Sequence, residues 1–241
     1  MPSQTISDDR ILDPKEATRV RRLLRKEHRE HSKHPINLPN YLPASYSSPS
    51  KIDLIAIAFN TPQAVEFQIK AVKKFLAGRY HHIICDNSNL ETAANAIRDI
   101  CKVHETTYIR VTAKKKPRGY SDHHGIALNW VWETIVKSRK NSFAFLDPDI
   151  FPINHFNTED YLDGVNLYGR PLTTPNGFWY LWPGFAFYRY DYIKDLPLNF
   201  RKWRRFGFLK IKGMDTGSAN IPHLYSRINI NDLKPFEREL W

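Results

Sequence analysis

The sequence has only two cysteines, Cys85 and Cys101, in 241 residues, too few for a disulfide framework. Cys85 sits in an apolar run and Cys101 in a helical pattern, so both are expected as buried, reduced thiols in a cytosolic setting. No apolar run approaches the ~20 residues that a membrane-spanning helix needs. The opening residues, MPSQTISDDR, lack the apolar core of a signal peptide. The expectation is a soluble, cytoplasmic chain, with peripheral membrane contact left open. None of the ten glycines falls in a G-x-G-x-x-G after a strand, which weakens a dinucleotide-binding reading. A Walker loop, a Cys-rich zinc pattern, H-E-x-x-H and a G-x-S-x-G elbow are missing too, and no internal repeat is visible.

What is present begins with charge. Lysine and arginine exceed the acidic residues to give a formal net charge of +11, which points to an anionic partner or to a solvated basic surface. Hydrophobic residues make up 41% and aromatics 13%, enough for a real core. Residues 1–50 form one unit: a helix opened by Asp13, Pro14 and Glu16 as a capping pattern, then a connector broken by Pro35, Pro39, Pro43 and Pro49. The helix carries a narrow stripe (Ala17, Val20, Leu24) among many Arg and Lys residues. It could lie on anionic lipid or pack on its own domain. His28, His31 and His34 recur every three residues; a metal site is conceivable, a solvated face the simpler reading.

From residue 51 onward, short apolar runs alternate with helical patterns. Ile52–Phe59, His82–Cys85, Thr107–Val111 and Ser142–Leu146 have the length of buried strands. Between them run helices opened by Thr61-Pro62, by Leu90 and by Ser121. Such alternation predicts right-handed βαβ units, a parallel sheet covered on both faces and a ligand site beyond the C-terminal strand ends. Three polar clusters fall at those ends: Asn60-Thr61, Asp86-Asn87-Ser88 and Asp147-Pro148-Asp149. Residues 164–190 are aromatic and punctuated by glycine, and are expected as mixed strands completing the sheet.

The segment Phe143-Ala144-Phe145-Leu146-Asp147-Pro148-Asp149 delivers two carboxylates to a sheet edge. Neighbouring carboxylates that both stay ionised favour a compensating cation, and Mg²⁺ or Mn²⁺ suits oxygen ligands shared with substrate phosphates. Here the chain resembles the GT-A-fold glycosyltransferases, in particular their family 2-like group. The likeness rests on Ile52–Asn60, Ile83-Ile84-Cys85-Asp86-Asn87-Ser88, the helix start Ser121-Asp122-His123-His124-Gly125-Ile126-Ala127-Leu128-Asn129, and Asp147-Pro148-Asp149, in that order. It implies an α/β, Rossmann-type sandwich with a mainly parallel sheet, helices on both faces and a mixed C-terminal part. Residues 51–155 would be the nucleotide-sugar half and 156–241 the acceptor half.

The resemblance also implies roles. Asp86 would meet the nucleobase. Asn60, Arg118, Ser121 and Asp147 would line the donor, which is expected to be UDP-linked. Asp147 and Asp149 would hold Mn²⁺ or Mg²⁺. Asp215, in Met214-Asp215-Thr216-Gly217, is the best match to the general base, although a turn aspartate before glycine is an equal alternative. His223 could add a third metal ligand or be an ordinary core histidine. Trp182 and Gly184, in Phe178-Trp179-Tyr180-Leu181-Trp182-Pro183-Gly184-Phe185, would border a glycan, lipid-linked or other hydroxyl acceptor, while alternate residues of that run face the core. Lys114 and Lys115 read as exposed loop. The expected activity is metal-dependent sugar transfer with inversion. Two rivals stand beside it: a nucleic-acid-binding or nuclease-like basic protein, which the strand-end carboxylates disfavour, and an inactive relative acting at a membrane surface.

Overall fold

The computed structural model describes residues 52–112, 120–174, 177–203 and 214–236. The expected N-terminal helix and connector, the three histidines near residue 30, the basic loop with Arg118, and most of the basic stretch 201–212 lie outside the described residues, as does the side chain of Ser121.

Strand β1 (Ile52–Ala58) is buried at every position, which is why it reads as an apolar run broken at one place, Asp53. Helix α1 (Pro62–Phe75) starts with Pro62 in its first turn, where a missing N–H costs nothing. It leads through β2 (Leu76–Ala77) to β3 (Tyr80–Asp86). Gly78, at φ +91°, makes the turn between them, a conformation that suits glycine. Helix α2 (Glu91–Val103) and β4 (Thr107–Arg110) follow. Then comes α3 (Tyr120–Val131), which passes into a π-helical turn, Trp132–Val136, and a last turn ending at Arg139. Strand β5 (Ser142–Leu146) ends at the paired aspartates. The second half supplies β6 (Phe156–Asn157), a 3-10 turn Thr158–Leu162, β7 (Leu167–Thr173) and β8 (Trp179–Tyr188).

The main sheet runs β4-β3-β1-β5-β8-β7. β4, β3, β1 and β5 are parallel, and β8 pairs antiparallel with both β5 and β7. This is the expected mixed α/β architecture with a mainly parallel central sheet. Because strand side chains alternate in direction, Ile52, Leu54, Ala56 and Ala58 share one face. They pack there with Val65, Ile69 and Val72 of α1, Ile97 and Cys101 of α2, and Tyr161 and Leu162. On the other face Phe143, Phe145 and Tyr188 stack against Trp132 and Phe200. Cys85 and Cys101 are free and buried, as expected. Cys85 pairs in register with Ile57, one residue from Ile84, which faces α2, so the two thiols belong to opposite faces. No helix among the described residues is long and apolar enough to cross a membrane.

The N-terminal strand ends are locked by ions. Asp53, 1% exposed, accepts from Arg139 Nε at 2.7 Å and Nη2 at 2.9 Å. Arg139 Nη2 also reaches His81 Nδ1 at 2.9 Å, and His81 Nε2 lies 2.7 Å from Thr107 Oγ1. Burial, then the neighbouring guanidinium, lowers the His81 pKa. The imidazole therefore stays neutral, accepting from Arg139 and donating to Thr107.

Candidate functional site

Parallel strands gather their C-terminal ends on one rim, and the three polar clusters meet there. At the end of β1, Asn60 takes a left-handed turn at φ +56°, which asparagine tolerates. Its N–H donates to Ser88 Oγ at 2.8 Å and its amide donates to Asn89 Oδ1 at 2.5 Å. Asn87 N–H in turn donates to Ala58 O at 2.8 Å. The exits of β1 and β3 are thus stitched into one surface.

Asp86 ends β3 fully buried. One carboxylate oxygen accepts the Ser88 N–H at 2.8 Å; the other accepts the Tyr108 hydroxyl at 2.8 Å and Arg110 Nη1 at 2.7 Å. Arg110 Nη2 donates to Ser88 O at 2.7 Å. The neighbouring carboxylate raises the Tyr108 pKa on top of burial, the larger cause. Asp86 stands where the sequence places it, but as the anchor of a half-exposed arginine. Arg110 and Tyr108 are site residues that the sequence reading missed. Both lie in β4, in register with Asp86 and Ile84 of β3.

Asp147 and Asp149 follow β5. The Asp147 N–H donates to Gly184 O at 2.8 Å, and the Ile150 N–H closes the turn onto Asp147 O at 3.0 Å. Gln68 of α1 donates its amide to Asp147 O at 2.7 Å and to Ile150 O at 2.6 Å. His124, in the first turns of α3, holds Nε2 at 3.6 Å from Asp147 Oδ1. The Asp147 pKa is raised, chiefly by burial; His124 opposes the shift, while Asp149 and Asp215 add to it. Asp149 is exposed. Among the described residues, no group of three or more His, Cys, Asp or Glu is placed to hold a metal ion. His223 is buried in the C-terminal segment and is not part of such a group.

Asp215 reaches this rim from far along the chain. Its N–H donates to the Tyr180 hydroxyl at 3.0 Å and its carboxylate accepts the Thr216 N–H at 2.8 Å. Gly217, at φ +88°, packs so closely that a Cβ there would stand 2.7 Å from Pro183 Cγ. Buried asparagines splice the segment to α3. Asn129 Oδ1 accepts the Phe200 N–H at 2.7 Å, Asn129 Nδ2 donates to Asn199 Oδ1 at 2.9 Å, and Asn220 Oδ1 accepts the Asn199 N–H at 2.6 Å. Asp215 stays exposed.

Strand β8 buckles beside the carboxylates. Gly169 pairs with Ala186, but Pro171 pairs with Leu181, so a two-residue step on β7 faces a five-residue step on β8. Trp182, Pro183 and Gly184 fill the surplus. A bulge re-aims side chains, and here the Trp182 ring folds over Gly184. A Cβ on Gly184 would fall 2.2 Å from Trp182 Cζ2 and 2.5 Å from Asp147 Oδ2. The Arg170 guanidinium lies 5.3 Å from the Trp182 ring centre. The structure therefore brings Asp147, Asp149, Asp215, Trp182 and Gly184 together, with His124 added. Asn60 and Asp86 lie along the same rim.

No protein-family model matches the chain, and no curated protein matches it. Two mannosyltransferases are among the solved structures similar to it. One is the mannosyltransferase PcManGT from Pyrobaculum calidifontis, in complex with GDP-Man and Mn2+; identity is 12%, the TM-score 0.41, and 74% of this chain and 54% of that chain are covered. The other is the mannosyltransferase Ktr4p from S. cerevisiae, at 8% identity and a TM-score of 0.45, covering 79% of this chain and 69% of that one. The match thus spans about half the length of the Pyrobaculum protein.

Proposed function

We propose that this chain is a GT-A-type glycosyltransferase that moves a sugar from a nucleotide-diphosphate donor, UDP-linked by the sequence resemblance, to an acceptor hydroxyl with inversion. The observation that carries the reading is the meeting of Asp147 and Asp149, at the end of β5, with Asp215 on the strand-end rim; burial first, and then these two neighbours, raise the Asp147 pKa against the pull of His124.

A divalent cation suits Asp147 and Asp149 as a two-carboxylate pair completed by oxygens of the donor. Asp147 and Asp149 leave one turn together, and their mutual repulsion is relieved by positive charge. They would hold Mg²⁺ or Mn²⁺ jointly with diphosphate oxygens. When bound, the ion supplies positive charge against which the nucleoside diphosphate departs.

The other roles belong to the chain itself. Asp215, exposed and oriented through its own backbone, takes the proton of the acceptor hydroxyl. Trp182 offers an aromatic face to the acceptor, in the space kept open by Gly184. Asp86 serves the nucleotide by fixing Arg110, and Asn60 shapes the floor between β1 and β3. Arg118 and Ser121 remain assigned to the donor from the sequence.

The test is a thermal-shift panel of UDP, GDP, CDP, ADP and TDP, each with and without Mn²⁺, on the wild type and Asp149→Ala. A ligand at about 100 times its Kd stabilises by about 2.7 kcal/mol. The expected result is a rise for one nucleotide that needs metal and disappears in the variant. A flat panel at saturation, or a metal-dependent rise retained in Asp149→Ala, sinks the assignment.

A further inference from the structure

The buried face of α1 consists of Val65, Gln68, Ile69 and Val72. Gln68 is its single polar member, and it is fully buried. Burying a primary amide is unfavourable unless the amide is hydrogen-bonded. Its two bonds both go to main-chain carbonyls of one turn, Asp147 O at 2.7 Å and Ile150 O at 2.6 Å. Carbonyl oxygens only accept, so the NH₂ end of Gln68 must face them. Those carbonyls bracket Pro148 and Asp149. Gln68 Oε1 has no hydrogen-bond partner among the described residues, so the side chain is placed for what its nitrogen holds.

The turn has few other restraints. Asp147 N–H is held by Gly184 O, and Ile150 N–H closes onto Asp147 O. Pro148 has no N–H to give. Asp149 is exposed, so its carboxylate is located only through the backbone that carries it.

We infer that Gln68 is a positioning residue: its amide clamps the Asp147–Ile150 turn so that the Asp147 and Asp149 carboxylates are presented together to a divalent cation. The inference rests on the proposed reading of these aspartates as a cation site. It places a determinant of cation affinity in α1, outside the turn and without direct contact to the ion. Outer partners that orient ligands characteristically change metal affinity by about 10–100-fold when removed.

The experiment compares wild type, Asp149→Ala, Gln68→Met and Gln68→Asn. Met keeps the length and removes the donor; Asn keeps the amide but is too short to bridge both carbonyls. Mn²⁺ binding is measured by electron paramagnetic resonance with and without UDP. Amide hydrogen exchange at Ile150 and the melting temperature are followed in parallel. Both Gln68 variants are expected to bind Mn²⁺ at least about tenfold more weakly, to exchange the Ile150 amide faster without any metal, and to bind metal-free UDP as the wild type does. Wild-type Mn²⁺ affinity in a folded Gln68 variant overturns the inference and leaves the cation site standing. Loss of stability with unchanged Mn²⁺ affinity also overturns it, since that describes a merely structural glutamine. If the wild type itself binds no Mn²⁺, or Asp149→Ala binds it equally, the cation-site reading fails, and this inference with it.

Discussion

Asp53 has an environment far from what its sequence context suggests. It interrupts an apolar run at the start of β1, and its partner Arg139 lies 86 residues away. Nothing local announces the pair. With the arginine side chain 4% exposed, Asp53→Ala strands a buried cation and should cost about 3–5 kcal/mol, read from urea denaturation. The double variant Asp53→Leu with Arg139→Met should recover most of that loss, because a matched apolar pair leaves no charge unpaired. A single variant no less stable than wild type would show that the ion pair contributes nothing. The same distance effect hid Arg110 and Gln68. Each looks locally like an ordinary strand or helix residue, and each acquires meaning only where other strands deliver Asp86 and Asp147. By contrast, the strand-end positions of Asp86 and of the Asp147-Pro148-Asp149 turn were legible, because aspartates that follow an apolar run in a βα alternation have one place to stand.

Elements were legible wherever periodicity was strong. β1, α1, β3, α2, β4 and β5 lie where the alternation places them, within a residue or two. The aromatic run 178–185 announced strands but not the buckle in β8, because register slips are fixed by pairing with β7 rather than by the strand's own sequence. The buckle makes Gly184 a sensitive position. Its φ is not positive, so the constraint is space, set by the Trp182 ring and the Asp147 carboxylate. Gly184→Ala should overpack this corner at about 1–3 kcal/mol. If Asp147 holds the cation as proposed, displacing its carboxylate by about 1 Å should lower kcat/KM on the order of a hundredfold. Donor-dependent turnover and thermal melting measured side by side check this; near-normal turnover would mean that Trp182 swings aside and is not needed where it stands. The splice through Asn129, Asn199 and Asn220 was equally hidden. Three asparagines spread over 92 residues carry no pattern, yet they hold the segment that brings Asp215 to the rim.

For the molecule as a whole, the parallel half of the sheet followed from the βα order, because right-handed crossovers leave few alternatives. The place of β8 between β5 and β7 did not follow, since antiparallel insertion depends on contacts that only the assembled core supplies. The two faces of that core each enclose one thiol. Burial raises the pKa of Cys85 strongly and that of Cys101 to about 12. Only a thiolate reacts with alkylating agents, so neither sulfur reacts until its own layer opens. The protein therefore carries a built-in pair of opening reporters, one per layer. In iodoacetamide at pH 8, read by mass spectrometry, both cysteines should label together at the rate of global unfolding. Labelling of Cys101 ahead of Cys85 would identify α2 as a separately opening unit. Labelling of both at the rate of a free thiol would contradict the burial described above. Where substrate binding stabilises the sheet, both reporters should slow together, so the occupancy of the strand-end rim becomes readable from two sulfurs that never touch it.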